Sequence, residues 1–436
     1  MKLRLLALAC CLVLAGCAAP AAPSPTPDAE VLGEENGYAA TDPLEIDESD
    51  GLNESELNAI VARTMARVEL IRGLEFTESV PVEVISRAEF AEGFSRDTTV
   101  DSPAERAREQ RYEASMLVGE DRTVGAAFES IYGGSVLGYY SSGRIVLVSS
   151  NDSLTVDRGT LAHELLHALQ DQRLSLLGGA PNPDRAIAET GLVEGDANYV
   201  EARYEQRCAE EWDCRPRPQS SAGSLEDRNF GLYLTIYAPY SEGPSFVHRA
   251  YETGGWEEVN DRYARPPRSS EQLIHPADYP DDRPARVIVP DRSTAVFDRA
   301  SPTTVGEATL FAMFYQQGVI DRNELMSTPG PYSAYNYSHP ATTGWAGDKL
   351  VPYLGEDGDG YVLQTRWESE DDAIQFAQAY RGMLRGSLNA TAEGGGVYVV
   401  DDGPYADAFR VTRDGRTVRI VNAPTVQELS DVRRGD

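Results

Sequence analysis

The stretch Thr160-Leu-Ala-His-Glu-Leu-Leu-His-Ala-Leu-Gln-Asp171 contains the pattern H-E-x-x-H. Apolar residues recur through it at steps of three and four, which predicts a helix over about 156–174 with one buried face. Residues four apart share a face of a helix, so His163 and His167 stand one turn apart. Two imidazoles in this arrangement can bind the same metal ion.

The spacing of the two histidines suits Zn²⁺, which binds imidazole nitrogen at about 2.0–2.1 Å. Glu164 follows the first histidine and is rotated by roughly 100° from it on the helix. Its carboxylate therefore reaches a water on the metal rather than the metal itself. Chance gives this pattern only about 0.005 times in a chain with so few histidines. We expect Zn²⁺ as the cofactor.

A hydrolytic zinc site needs a third protein ligand and an open fourth position. A second helix is predicted over about 185–208, and Glu194 follows the apolar pair Leu192-Val193 on it. Glu194 therefore projects from the part of the helix that packs inward, and we predict it as the third ligand. Glu189 and Glu201, on the same helix, remain alternatives.

These residues resemble those of the gluzincin group of zinc metallopeptidases, of which thermolysin is the best-known member. The resemblance covers roughly residues 130–205. It implies an α+β fold with a zincin-like catalytic domain, in which His163, His167 and Glu194 bind the metal. Glu164 matches the general base of that group.

The resemblance also implies partners that orient the ligands. Asp171 matches an acidic residue that holds an imidazole in that group. Asn198 stands where an aspartate often follows the ligand glutamate by four residues, and Asp196 is the alternative for that outer role. The interval between the second histidine and Glu194 is longer than in thermolysin-like enzymes, and the Gly/Pro-rich segment 178–183 can hold the extra length.

Two β-rich runs, 135–140 and 144–149, precede the H-E-x-x-H helix and predict a β-hairpin. Gluzincins generally place an edge strand beside the cleft, where an extended peptide can pair with it. The resemblance implies that Arg144–Ser149 is this edge strand.

His275 is our candidate for stabilising the oxyanion of a tetrahedral intermediate. It ends a predicted helix near 268–274, where the helix dipole favours a cationic imidazole. Tyr279 and His339 are alternatives, and a simple capping role for His275 is another. The Ser269–Pro276 stretch resembles a segment of exported H-E-x-x-H proteins that include haloarchaeal surface lipoproteins.

The N-terminus predicts export. A basic start and an apolar run over 5–14 match a signal peptide and are too short to span a bilayer. Leu-Ala-Gly-Cys17 resembles a lipobox, so residues 1–17 read as a lipoprotein signal with the lipid on Cys17. A plain secretory signal is the alternative. Residues 18–52 read as a Pro/Ala-rich acidic tether that holds the protein at the outer face of the membrane.

Residues 53–346 are predicted to form the zincin-like domain, and 347–436 a small C-terminal α+β domain. Cys208 and Cys214 enclose five residues, and in an exported protein they are expected to form a disulfide.

The composition excludes nucleic acid as a partner. The chain of 436 residues has 39 Lys and Arg against 70 Asp and Glu, a net charge of −31, which repels a phosphate backbone. Only Lys2 and Lys349 are lysines. We interpret this acidic, lysine-poor composition as halophilic, because high salt screens the repulsion between carboxylates.

The sequence thus predicts a zinc-dependent peptide-bond hydrolase at the cell surface, with a peptide or protein substrate. Two other classes remain open: a zinc-bearing protein whose site is closed and non-catalytic, and an adhesive or binding surface lipoprotein. The oligomeric state is not predicted.

Overall fold

The computed structural model describes residues 32–47, 51–94, 100, 102–132, 136–149, 156–174, 176–214, 229–328 and 330–435. The predicted signal peptide, Cys17 and residues 18–31 and 48–50 of the predicted tether lie outside these ranges. Residues 32–47 of that tether pack against the helix Glu54–Arg72, where Arg67 donates to the Ala40 carbonyl at 2.8 Å. The described chain is a mixed α+β structure, as predicted. None of its helices is long and apolar enough to cross a bilayer.

The elements of the first part of the chain are mostly helices. In order they are β1 (Glu34–Glu35), β2 (Tyr38–Ala39), α1 (Glu54–Arg72), β3 (Val82–Ser86), α2 (Arg87–Phe94), α3 (Pro103–Ala114), α4 (Val124–Tyr132), β4 (Gly138–Ser141), β5 (Arg144–Ser149), α5 (Arg158–Arg173), α6 (Pro183–Glu210) and α7 (Phe230–Ala264).

The elements of the second part are mostly strands. In order they are α8 (Glu271–Ile274), β6 (Asp298–Arg299), α9 (Glu307–Gln316), α10 (Arg322–Met326), β7 (Trp345–Leu354), β8 (Asp359–Trp367), α11 (Glu370–Gly386), β9 (Thr391–Gly394), β10 (Val397–Val399), β11 (Ala408–Asp414), β12 (Thr417–Ala423) and α12 (Leu429–Val432).

Local capping fixes where α5 and α6 begin. The Asp157 side chain accepts a hydrogen bond from the Thr160 amide at the start of α5. The Asn182 side chain does the same for the Arg185 amide, and Pro183 occupies the first turn of α6. Both caps satisfy amides that have no partner within the helix. The two helices therefore start within two residues of the positions that the apolar periodicity predicts.

The three-stranded sheet has the order β3-β5-β4, and it corrects the predicted edge strand. β5 pairs in parallel with β3 on one side and antiparallel with β4 on the other. The predicted hairpin is present, but its edge strand is Gly138–Ser141. β5 is the central strand, and its residues Ile145 to Val148 are all buried, as expected of a strand that is covered on both faces.

The seven-stranded sheet has the order β6-β7-β8-β12-β11-β10-β9, with antiparallel neighbours throughout. The aromatics that the sequence analysis singled out around it are all buried: Trp345, Tyr353, Tyr361 and Trp367. β7 begins before residue 347, and β6 lies further upstream. The division of the chain at 346/347 stays a prediction.

The long helix α7 crosses α6 at very close range. A side chain added at Gly195 would collide with the backbone of Gly243, and one added at Gly243 would collide with the carbonyl of Gly191. Glycine therefore lets the two helix backbones touch at this crossing. Glu194 lies between the two glycines of α6. The close contact therefore fixes the position of Glu194 along the helix axis and the direction in which it projects.

Candidate metal centre

The structure brings the three predicted metal ligands together between α5 and α6. His163 Nε2 lies 3.2 Å from Glu194 Oε2, and His167 Nε2 lies 3.4 Å from the same oxygen. The two Nε2 atoms are 3.1 Å apart. The ligand atoms of all three residues lie within 4.8 Å of one another. Two imidazole nitrogens and one carboxylate oxygen therefore converge on one point.

A hydrogen-bonded chain fixes the tautomer of His167. Gln170 donates its Nε2 to the Val193 carbonyl at 2.9 Å, so its Oε1 must be the atom that faces His167 Nδ1, 2.9 Å away. A carbonyl oxygen only accepts, and Nδ1 therefore carries the proton. The lone pair of His167 is left on Nε2, directed at Glu194.

A buried ion pair holds Gln170 in place. The Tyr263 hydroxyl accepts from Gln170 Nε2 at 2.9 Å and donates to Asp196 at 2.8 Å. Asp196 pairs with Arg72 at 3.0 Å, and both side chains are fully buried. The Arg72 guanidinium also stacks 4.4 Å above the Trp256 ring. Asp196 thus supports His167 indirectly, through Gln170. The sequence analysis left this orienting role open between Asp196 and Asn198.

His163 has a different partner behind it. Its Nδ1 lies 3.3 Å from Glu201 Oε2, on the next turns of α6 beyond Glu194. A carboxylate at this distance favours the proton on Nδ1 and the lone pair on Nε2, although the pair lacks the geometry of a hydrogen bond. Glu201, an alternative metal ligand in the sequence, instead contacts the back of an imidazole.

The charges around the centre favour a cation. Burial lowers the pKa of His163, but the carboxylates of Glu194 and Glu201 outweigh burial and raise the pKa well above its usual range. Burial also lowers the pKa of His167, and Glu194 again outweighs it. Burial raises the pKa of Glu194, but the two imidazoles hold that pKa at about 2. The three groups together attract positive charge to the point they face.

Glu164 sits beside this point without joining it. Its side chain is buried, and burial raises its pKa above the usual range, although the two histidines oppose the shift. The edge strand β4 passes directly against it, since a Cβ at Gly138 would lie 3.4 Å from Glu164 Cγ. Glycine therefore permits the strand to run beside the carboxylate.

The structure places the other predicted orienting residues away from the imidazoles. Asp171 accepts a hydrogen bond from the Tyr140 hydroxyl at 2.7 Å, so it ties α5 to β4. Gln170 rather than Asp171 orients His167, because position i+3 faces the imidazole and i+4 turns toward the sheet. Asn198 Nδ2 is buried with no hydrogen-bond partner among the described residues.

The candidate oxyanion donors all have partners elsewhere. His275 Nε2 lies 3.0 Å from Glu307 Oε1. Burial lowers the pKa of His275, but Glu307 outweighs burial and raises it. The Tyr279 hydroxyl donates to the Arg265 carbonyl, and His339 lies 3.5 Å from Glu324. Within the described ranges, no contact joins His275, Tyr279 or His339 to the three ligands.

The predicted disulfide is formed near the end of α6. Cys208 and Cys214 are bonded, with their Cα atoms 5.3 Å apart. Arg67 stacks 4.6 Å above the neighbouring Trp212 and donates to the Asp213 carbonyl. The bridge therefore closes the loop after α6, and Arg67 ties that loop to α1.

Sequence reasoning missed the two residues that complete the support of His167. Gln170 could have been found, because it is polar on the buried face of α5 and stands three residues after His167. Tyr263 could not, because it comes from the far end of α7, which the sequence analysis did not predict.

Comparison with known proteins finds one matching family model, and it covers less than half of the chain. A domain of unknown function (DUF8575) matches residues 294–433, which include the whole seven-stranded sheet. None of the curated proteins compared matches the chain. The matched region begins after α8, so it contains none of His163, His167 and Glu194.

Proposed function

We propose that the chain is a zinc-dependent peptidase of the gluzincin type. The observation that carries the proposal is the convergence of two imidazole lone pairs and one carboxylate oxygen within 4.8 Å. Both Nδ1 atoms face acceptors, at Gln170 and Glu201. Three electron-rich atoms in one buried place repel each other unless a metal ion or a proton lies between them.

The donor set fits Zn²⁺ better than other common ions. Two imidazoles and one carboxylate form the ligand set of zinc hydrolases, which leaves the fourth position open. Hard cations such as Ca²⁺ and Mg²⁺ prefer oxygen ligands alone. Zinc bound by His163, His167 and Glu194 would supply an activated water and polarise the scissile carbonyl.

Glu164 has the position and environment of a general base. It accepts the proton of the attacking water and donates it to the leaving amine. Burial raises its pKa, which brings its basicity closer to neutral pH than that of an exposed glutamate. Gln170 and Glu201 keep the imidazoles in the tautomer that this chemistry requires.

The edge strand β4 gives the substrate a place to bind. Within the described sheet it pairs only with β5, so its other edge can pair with an extended peptide. Gly138 brings this strand against Glu164. Main-chain pairing along β4 would hold a peptide or protein segment beside Glu164 with little preference for particular substrate side chains.

The sequence supports a location outside the cell. The lipobox at Cys17 would carry the lipid, and the tether would hold the enzyme at the outer face of the membrane. The bond between Cys208 and Cys214 agrees with an oxidising compartment.

The test is the variant Glu164→Gln, assayed for casein cleavage and zinc content in molar salt. We expect zinc to stay at the wild-type level, because Glu164 is not a ligand, and cleavage to fall at least about a hundredfold. Glu129→Gln, an exposed residue of α4, is the matched control and should cleave normally. Casein cleavage by Glu164→Gln at the wild-type rate would refute the proposal. A wild-type protein that holds zinc and cleaves nothing would favour the non-catalytic alternative.

A further inference from the structure

A second group of carboxylates lies where α3 meets the seven-stranded sheet. Glu113 belongs to α3, Glu120 follows that helix, and Asp407 comes just before β11. One oxygen from each lies within 4.8 Å of the others. Glu113 is 6% exposed and Asp407 4%, while Glu120 reaches the surface. No Arg or Lys of the described chain forms an ion pair with any of the three.

Two buried amides face these carboxylates. Gln110 donates its Nε2 to Glu113, and Asn422 donates its Nδ2 to Asp407 Oδ2 at 2.9 Å. Gln110 is 4% exposed and Asn422 is fully buried. The oxygens of both amides, Gln110 Oε1 and Asn422 Oδ1, are buried without a hydrogen-bond partner. A half-turn of either amide presents its oxygen where its nitrogen now lies.

Two tyrosine hydroxyls extend the same group. Tyr361 and Tyr380 are fully buried, and their hydroxyls interact with each other. Burial raises the pKa of Tyr361 well above its usual range, and Tyr380, Glu113 and Asp407 add to the shift. The interior of this junction therefore holds carboxyl, amide and hydroxyl groups, and within the described chain no basic side chain pairs with Glu113, Glu120 or Asp407.

We propose that Glu113, Glu120 and Asp407 bind one Ca²⁺-type divalent cation, with the amide oxygens of Gln110 and Asn422 as further ligands. All the donors are oxygens, which hard cations prefer. Oxygens on opposite sides of Ca²⁺ lie roughly 4.6–5.2 Å apart, since each bond is about 2.3–2.6 Å. The three carboxylate oxygens, all within 4.8 Å of one another, are close enough to contact one such ion together.

The cation would fasten the helical part of the chain to the seven-stranded sheet. At the same junction the Glu120 amide donates to the Pro404 carbonyl at 2.9 Å, and Arg106 pairs with Asp359. A bound ion neutralises the repulsion between the three carboxylates and holds these contacts together. The alternative is a proton shared between Glu113 and Asp407, with no metal bound.

The test uses the full-length chain, stripped of metal and kept in molar NaCl at neutral pH. Equilibrium dialysis with radioactive Ca²⁺ measures the ions bound per chain, and thermal unfolding measures the shift caused by Ca²⁺. We expect Asp407→Asn to bind one Ca²⁺ fewer than the wild type. Glu120→Gln, a change at the surface that should fold normally, should weaken binding at this site at least tenfold.

Glu393→Gln removes the same charge from an exposed strand and is the matched control, with unchanged Ca²⁺ binding. Glu194→Gln should also keep its Ca²⁺, which separates this site from the zinc centre. Absence of saturable Ca²⁺ binding at millimolar concentrations would overturn the proposal in favour of the shared proton. Unchanged Ca²⁺ binding in both Asp407→Asn and Glu120→Gln would overturn it as well.

Discussion

Acidic groups are buried in two regions of the molecule: between α5 and α6, and at the junction of α3 with the seven-stranded sheet. The two regions differ in the side chains that surround the carboxyl groups. At α5/α6 the carboxylate of Glu194 faces two imidazoles whose tautomers are fixed from behind. At the junction, Glu113 and Asp407 each accept a hydrogen bond from a buried amide, that of Gln110 and that of Asn422. Because imidazole ligands suit zinc and oxygen-only sites suit hard cations, the two proposals predict ions of different kinds at the two places.

The largest expected effect is the loss of zinc from the first region alone. His167→Ala removes one of three protein ligands, so zinc content and casein cleavage should both fall to background. Metal analysis and the casein assay measure these effects. The Ca²⁺-dependent shift in thermal unfolding should remain, because the junction shares no residue with the zinc centre. Loss of both ions in His167→Ala would show that the two regions are not independent.

A smaller loss of zinc affinity is expected when the hydrogen bond that orients His167 is removed. Gln170→Leu leaves His167 Nδ1 without its acceptor, and zinc affinity should fall by about 10–100-fold. Competition with a zinc chelator measures the affinity. Gln172→Leu is the matched control: the same residue type on the same helix, it contacts the loop at Thr77 and no imidazole. Equal zinc affinity in the two variants would count against the assigned tautomer.

The sequence predicted the first region because its signals are local. The two ligand helices follow from apolar periodicity, and the histidine spacing follows from the helical repeat. Asp171 was predicted to orient His167, and Gln170 was overlooked, although a polar side chain on the buried face of α5 could have indicated it. The edge strand was assigned to β5 instead of β4 because β3, its parallel partner, lies far away in the sequence.

The second region was not predicted at all. Glu113 and Asp407 come from distant parts of the chain, and only the docking of α3 on the sheet brings them together. The helix α7 was missed for a different reason. Pro239 and Pro244 lie inside it, and each removes a helical hydrogen bond. Its tertiary contacts with α6 compensate for that loss.

The close crossing behind the zinc centre should also be measurable. Gly195→Ala places a methyl group against the backbone of α7 at Gly243, and we expect a loss of about 1–3 kcal/mol in the free energy of unfolding. Gly382→Ala in α11, where a Cβ meets nothing within 4 Å, should be neutral or stabilising. Urea unfolding compares the two. Equal stability would show that α6 and α7 can separate without cost.

The last prediction concerns a carboxyl that is buried outside both regions. Burial raises the pKa of Glu242 to about 8, although Ser241 and His275 oppose the shift. The folded chain therefore keeps this proton between the ordinary glutamate pKa and about pH 8, while the unfolded chain loses it. Stability should fall as the pH rises through that window, by at most about 1.4 kcal/mol per pH unit.

Glu242→Gln should make the dependence of unfolding free energy on pH shallower, because the amide does not titrate. Urea unfolding at several pH values measures the slope, and Glu129→Gln should keep the slope of the wild type. An unchanged slope in Glu242→Gln would mean that Glu242 is ionised in the folded protein.

X-ray absorption at the zinc edge of the purified protein tests the metal centre most directly. We expect one zinc per chain with two imidazoles and oxygen ligands at about 2.0–2.1 Å, and loss of that signal in Glu194→Gln. A protein that contains no zinc after growth with the metal, or a shell rich in sulfur, would contradict the site built by α5 and α6.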